Sequence, residues 1–270
     1  LLCLVGASRG WRTDIVRDRR ADVYFVISED DIERRLAELK PGQRMSRMAG
    51  MRELCDKVPF AKLMQRMQQI RPKEFTFFPA TYTLPGDVVP NSVWAQGPMI
   101  FKPDSGAGGD GIYLLLSAAD LAARVRNRTS GGVAQQYIAR PMLLAGYKWD
   151  IRVYALVLSL DPLRVFMCQE GLARVCSEPY VQPTQRTIHK IGCHLTNYSI
   201  SKYAAEYNHA DDPTDGTQGT KRTLSSTLEF LRSHGVNADS LSTQILHIVR
   251  ATTEAVASEL VACNDLVLKQ

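Results

Sequence analysis

Residues 99–116 read M-I-F-K-P-D-S-G-A-G-G-D-G-I-Y-L-L-L, and the fold is decided there. The apolar run Met99–Phe101 delivers Lys102, glycines follow at 106, 108, 109 and 111, and a second apolar run, Ile112 to Leu116, leaves. Such a pattern predicts a strand, a glycine-rich turn and a returning strand. Glycine lets backbone N–H groups come close to a polyphosphate, and a lysine at the turn's entrance adds a cation for its oxygens.

A Walker loop or a dinucleotide fingerprint needs a helix directly after the glycines. Ile112 to Leu116 is too short and too apolar to be one, so both are excluded. A phosphate-covering hairpin remains, which protein kinases and ATP-grasp ligases both use. Neither an H-R-D nor a D-F-G element follows, which argues against a kinase. Glycine-rich turns are common, so the stretch alone also fits an ordinary hairpin with a solvated lysine.

A chain of 270 residues, 45% of them hydrophobic, can bury a core and divide into subdomains. Its apolar runs span a handful of residues, too few for a transmembrane helix. Six scattered cysteines without a C-x-x-C pair read as reduced thiols, with no metal site among them. Without an initial methionine or a signal-peptide pattern, the chain reads as a fragment. The net charge is +5, and nine basic side chains between Lys40 and Lys73 face only Glu53 and Asp56. A basic surface implies an acidic partner. Aromatics are not interleaved with these charges and no nucleic-acid module is present, so an acidic protein tail fits as well as nucleic acid, and a solvated basic face is the plain alternative.

In chain order, Val23–Ile27 predicts a strand, and Ser28 caps a helix bearing Ile32, Leu36 and Leu39. Pro59 opens another helix, with Leu63, Met67 and Ile70 on one face. Residues 75–98, rich in Pro and aromatics, connect to the hairpin. Ala118–Arg126 reads as a helix, and a strand follows, ending in Gln135, Gln136, Tyr137 and Ile138. Residues 148–154, K-W-D-I-R-V-Y, put Lys148, Asp150 and Arg152 on one strand face and Trp149, Ile151 and Val153 on the other. That strand runs on to Leu158, and Leu163–Val175 returns beside it carrying Arg174. His194–Ser199 clusters hydrogen-bonding groups, Tyr203–Thr220 is a polar loop, and two helices with leucine and isoleucine stripes (Leu224, Leu228 and Leu231; Leu241, Ile245, Ile248 and Leu260) close the sequence.

Four stretches in order, K-P-D-S-G-x-x-G-D-G-I-Y, Q-x-Y-I-x-x-P-x-L-x-x-G-x-K-W-D-I-R-V-Y, D-P-L-R with E-G-L-A-R, and H-L-T-N-Y-S, resemble the tubulin–tyrosine-ligase-like family, and its polyglutamylase branch most. The resemblance extends over nearly the whole chain. It implies an α/β ATP-grasp-like fold with an N-terminal basic domain (1–74), a central domain holding the glycine loop (75–146) and an incomplete C-terminal domain (147–270).

By the same resemblance Lys102, Gly108 and Gly109 hold ATP phosphates and Gln135, Gln136, Tyr137 and Ile138 meet adenine. Lys148, Trp149, Asp150, Thr196 and Asn197 complete the nucleotide site. Arg174, Ser199 and Lys221 take the amino acid, position 108 also touches the acceptor, and Arg152, with Lys102, faces the reacting phosphate. The implied reaction is ATP-dependent transfer of free L-glutamate onto glutamate side chains of tubulin tails through an acyl phosphate. Mg²⁺ ligands would lie beyond residue 270. The implied location is cytoplasmic, on microtubules, including those of cilia, flagella or basal bodies, with no membrane partner. A non-catalytic microtubule-binding relative is the alternative. Two departures stand out: Gly108 replaces a polar residue of the relatives, and Ser46-Arg47-Met48 stands where they have Asn-His-Phe.

Overall fold

The computed structural model describes residues 2–12, 21–26, 32–106, 108–126, 131–197 and 219–268. Its contacts divide the chain into two compact units, Leu1–Met51 with Ala262–Gln270, and Arg52–Val261. The first contains α1 (Leu2–Ser8), α2 (Ile32–Ala37) and a parallel pair of two-residue strands, β1 (Val23–Tyr24) and β2 (Arg44–Met45). Gln43 holds that pair to the chain before it, its Nε2 donating to the Ala21 carbonyl at 2.8 Å. The strand expected over Val23–Ile27 is thus shorter, and the Ser28 cap lies outside the described residues.

The chain continues through α3 (Met51–Cys55), α4 (Lys57–Ile70), β3 (Thr81–Leu84), α5 (Asn91–Trp94), β4 (Met99–Pro103), β5 (Tyr113–Leu115), α6 (Ala118–Val125) and β6 (Gly132–Gln136). Then come β7 (Leu143–Leu144), β8 (Tyr147–Arg152), β9 (Ala155–Leu160), β10 (Leu163–Met167), β11 (Leu172–Val175), α7 (Ile191–His194), β12 (Lys221–Thr223), α8 (Leu224–Ser233) and α9 (Ala238–Leu268). The architecture is mixed α/β, as expected, with antiparallel sheets in the second unit. One sheet has the order β3-β6-β4-β5, another β12-β11-β8-β7, and β9 and β10 form a separate hairpin.

Alternation along β4 sorts the first sheet's faces. Met99 and Phe101, both fully buried, pack with Leu115, Ala134, Val89 and Val93 on one side. Ile100 and Lys102 point to the other, where Ile100 joins Leu114, Tyr137 and Leu195. β6 lies very close to β4: a Cβ on Gly132 would stand 2.6 Å from the Lys102 carbonyl and 2.7 Å from the Phe101 ring. In the second sheet Trp149 and Val175, directly opposed, face away from the charged side into a cluster with Leu144 and Leu231.

Two expected strands are broken. The run from Lys148 to Leu158 divides between β8 and β9, and the run from Leu163 to Val175 divides between β10 and β11. The return bend is fixed by Glu170 and Gly171. Glu170 accepts from the N–H groups of Gly171 (2.9 Å) and Ser225 (3.1 Å) and from the Ser225 hydroxyl (2.6 Å) at the start of α8. Those bonds hold its carboxyl below the usual value of 4.5, against a burial effect that pulls upward. Glu170→Ala is expected to cost about 1 kcal/mol of stability, the usual value of a cap. A depressed folded pKa contributes stability above the unfolded value that is lost as pH falls through the folded one. The gap in melting temperature between wild type and variant is therefore expected near neutrality and should close below pH 4.5.

Helix α9 departs from its expected stripe. Leu260 of that stripe is fully buried, but Ile248 is exposed, and Ala251 and Ala255 are buried as well, packing on Leu63, Met64 and Phe75 of and after α4. Burial of Met64 and Phe75 contributes about 1.5–3 kcal/mol each. The same helix answers part of the basic run: Glu259 pairs with Arg66, and Glu254 lies 3.6 Å from Arg71, which also pairs with Glu74 at 2.7 Å.

Candidate functional site

Lys102 leaves β4 beside Gln135 of β6, because Gln135 lies opposite Ile100 and shares its face. The Lys102 ammonium donates to Gln135 Oε1 at 2.7 Å, and Gln135 Nε2 donates to Thr81 Oγ1 at 2.8 Å, which fixes the amide's orientation. Burial lowers the Lys102 pKa, and the like charge of Lys57 lowers it further. Lys57, on the first turn of α4, donates to the carbonyls of Asp104 (3.1 Å) and Gly106 (3.4 Å) at the mouth of the glycine loop. In that loop Gly106, Gly108, Gly109 and Gly111 all have positive φ, a conformation that side chains other than glycine's rarely adopt.

Lys148 projects from β8 and joins the two sheets. Its ammonium donates to the Tyr137 hydroxyl and to the His194 carbonyl, both at 2.9 Å, and lies 4.0 Å from the centre of the Tyr137 ring. Burial pushes its pKa down to about 8; nearby Cys176 pulls it back up, and Lys102's charge lowers it again. Since Tyr137 accepts from Lys148, its own proton goes to His194 Nδ1 at 3.1 Å, and His194 Nε2–H meets the Thr187 carbonyl at 3.3 Å. This is a neutral histidine, and burial holds its pKa below 6.5.

Two residues along β8 the charge changes sign. Asp150 binds Arg174 side-on, Nε to Oδ1 at 2.8 Å and Nη2 to Oδ2 at 2.6 Å, and Oδ2 also accepts from the Thr196 hydroxyl at 2.8 Å. The hydrogen bond to Asp150 is the main reason that the Arg174 pKa is raised. Register places Asp150, Arg174 and Lys221 in one row across β8, β11 and β12, so their side chains share a face. The side-on pairing engages Nε and Nη2 and leaves the Nη1–Nη2 edge of Arg174 as the one a second carboxylate would approach.

Of the residues marked in the sequence, Lys102 with Gln135, Lys148 with Tyr137, and Asp150 with Arg174 and Thr196 form three bonded groups. Lys148 is near enough to Lys102 and Asp150 to feel the charge of both, and Lys221 lies beside Arg174. Gln136 and Tyr137 commit their backbone N–H groups to Ala80 and Pro98. Ile138 and Arg152 are exposed, the latter at the end of β8, and Trp149 packs behind the sheet. Gly108 and Gly109 lie in the turn and Asn197 follows Thr196; Ser199 and most of the polar loop lie outside the described residues. Lys57 escaped the sequence reading, because a lysine inside a basic run carries no mark of its own. An open cavity of about 620 Å³, lined by Gln65, Gln68, Tyr82 and Asp87, contains none of these residues.

Among the described residues no three His, Cys, Asp or Glu side chains gather as a metal-binding group, and both oxygens of Asp150 are engaged by Arg174 and Thr196. These residues do not fit a Mg²⁺ ion. Nor, among the described residues, is any helix long and apolar enough to cross a membrane.

A mixed α/β fold with two antiparallel sheets, one of them carrying a glycine hairpin, agrees with the ATP-grasp-like superfamily to which the family match assigns the chain. Within it the chain belongs to the tubulin-tyrosine ligase family, whose sequence pattern matches residues 35–267. It is 34% identical over 227 residues to human tubulin polyglutamylase TTLL11, covering 80% of this chain and 32% of that protein. It is 33% identical over 243 residues to mouse tubulin polyglutamylase TTLL13 (88% and 29%), and 35% identical over 215 residues to zebrafish tubulin polyglutamylase ttll6 (78% and 26%). The chain thus spans about a third or less of the length of these relatives.

Proposed function

We infer that this chain carries the nucleotide and amino-acid site of an ATP-dependent ligase that adds glutamate to glutamate side chains in the acidic tails of tubulin. One observation carries the reading: Lys57, Lys102 and Lys148 sit near one another, and the bonds seen at their ammonium groups go to neutral acceptors, Asp104 and Gly106 carbonyls, Gln135 and Tyr137 with the His194 carbonyl. Like charges held together in this way are stabilised by an anion of high charge density, and a triphosphate is one. The names of the relatives supply tubulin and glutamate as the substrates to test.

In this reading the glycine turn and the three lysines hold the triphosphate, and Arg174 takes the carboxylate of free glutamate through its open edge, with Lys221 beside it. An acceptor carboxylate oxygen attacks the γ-phosphorus and ADP leaves. The amine of the bound glutamate then attacks the acyl carbon, phosphate leaves, the amine gives up a proton and an amide results. The cations stabilise negative charge that builds on the phosphoryl oxygens. Arg152 would lie toward the reacting phosphate, and Thr196, Asn197 and Ser199 on the nucleotide and amino-acid sides. The layout we propose is the family's three parts, with boundaries near residues 74 and 146, in a protein of the cytoplasmic microtubule cytoskeleton.

The test is incorporation of labelled glutamate into microtubules by the full-length protein with ATP. Lys102→Ala and Arg174→Ala are each expected to lose about a hundredfold or more in rate. If both label microtubules like the wild type, the site is wrongly assigned.

A further inference from the structure

Helix α4 begins without a cap of its own: Asp56 at its N-cap position makes no side-chain bond to the first turn. Asp104, the second residue after Lys102, supplies one from 46 positions away, its Oδ1 accepting from the Val58 N–H at 2.7 Å. The tie is reinforced on both sides. The Asp104 N–H donates to the Gly131 carbonyl at 2.9 Å, and Lys57 of the same helix turn grips the Asp104 and Gly106 carbonyls. A carboxylate at the positive end of a 14-residue helix is favoured by the helix dipole as well.

The helix that receives this bond is fixed by its buried Leu63 and Met64 against Phe75, Ala251 and Ala255. The loop that gives it has four glycines with positive φ, so its conformations before binding are many. A loop that must order over a phosphate loses entropy on binding, and a tether at its root reduces that loss. We propose that Asp104 is a positioning residue, anchoring the root of the glycine loop to the N-terminus of α4 so that the loop and Lys57 are set for the nucleotide before it arrives. This rests on the nucleotide-site reading given above. The bonds described at Asp104 tie it to Lys57, Val58 and Gly131, and its role passes through the loop.

Such a role shows as a KM effect on ATP. In steady-state labelling by the full-length protein, Asp104→Ala is expected to raise KM for ATP about fivefold or more, with kcat within about twofold of wild type. Asp104→Asn keeps an oxygen that can accept from Val58 N–H and should restore KM to within about twofold of wild type. A cap that serves folding alone would lower the melting temperature and the active fraction together and leave KM unchanged. That result for Asp104→Ala, or an Asn variant as impaired as the Ala variant, overturns the proposal. Lys102→Ala, measured in parallel, separates the two failures. Loss of labelling there with an unmoved KM in Asp104→Ala sinks the tether and leaves the site standing, whereas normal labelling by Lys102→Ala sinks the site reading on which the tether depends.

Discussion

Replacing Asp150 with alanine should reduce glutamate transfer about a hundredfold while the chain still folds. Asp150 is the carboxylate that the described contacts place against Arg174, and it receives three bonds, two from Arg174 and one from Thr196. Without it, the Arg174 guanidinium loses the partner that sets its plane, and Thr196 loses its acceptor. Nothing then presents the Nη1–Nη2 edge in a fixed direction, and misplacement of that size is what costs a ligase its aligned reactants. Stability should suffer less. The Asp150 and Arg174 side chains are 37% and 25% exposed, so an unpaired Arg174 can be solvated, and the loss is on the order of 1 kcal/mol, as for a partly exposed pair. Asp150→Asn should fall between wild type and alanine, because its amide accepts from one donor and turns an N–H toward the guanidinium. The measurement is labelled-glutamate transfer set beside the melting temperature. Activity within threefold of wild type in Asp150→Ala would remove Asp150 from the site.

How far these residues could be read from the sequence depends on where their signals lay. The hairpin of β4 and β5 was legible because apolar runs flank four glycines, and the row of Lys148 and Asp150 was legible because charge at every second residue of a strand is costly unless used. Pairing between Asp150 and Arg174 was not legible: it depends on register between β8 and β11, and that depends on the bend at Glu170 and Gly171. A strand's period of two passes through such a bend unchanged, so one continuous strand was expected where β10 and β11 stand. The bend has a steric cause that only the fold displays, since a Cβ on Gly171 would stand 2.6 Å from the Arg152 carbonyl. In α9 the sequence marks the largest apolar residues, of which Leu260 is buried, whereas close approach of α4 also selects small ones, Ala251 and Ala255. Lys57 and Asp104 were hidden for a related reason. Each is an ordinary surface residue type, and its meaning comes from a partner 46 to 49 positions away.

Binding of ATP, or of inorganic tripolyphosphate, should weaken as pH rises through about 8. Lys148 is the group responsible, since burial holds its pKa at about 8. A bound polyanion favours the ammonium form and raises that pKa, so the complex holds a proton that the free protein gives up between the two values. The Lys148 contribution to affinity is then constant below about 8 and falls above it, approaching tenfold per pH unit for one proton linked to binding. The neighbours do not imitate the effect. Burial keeps His194 neutral by holding its pKa under 6.5, pushes the Cys176 thiol up to about 12, and raises the Tyr137 hydroxyl as well. Lys148→Arg supplies the control, because a guanidinium keeps its charge throughout this range; its affinity should stay level between pH 7.5 and 9, where the wild type loses roughly tenfold. Fluorescence titration with a labelled nucleotide at constant ionic strength makes the measurement, and a wild-type affinity that is flat from pH 7 to 9.5 would show that Lys148 does not meet the phosphates.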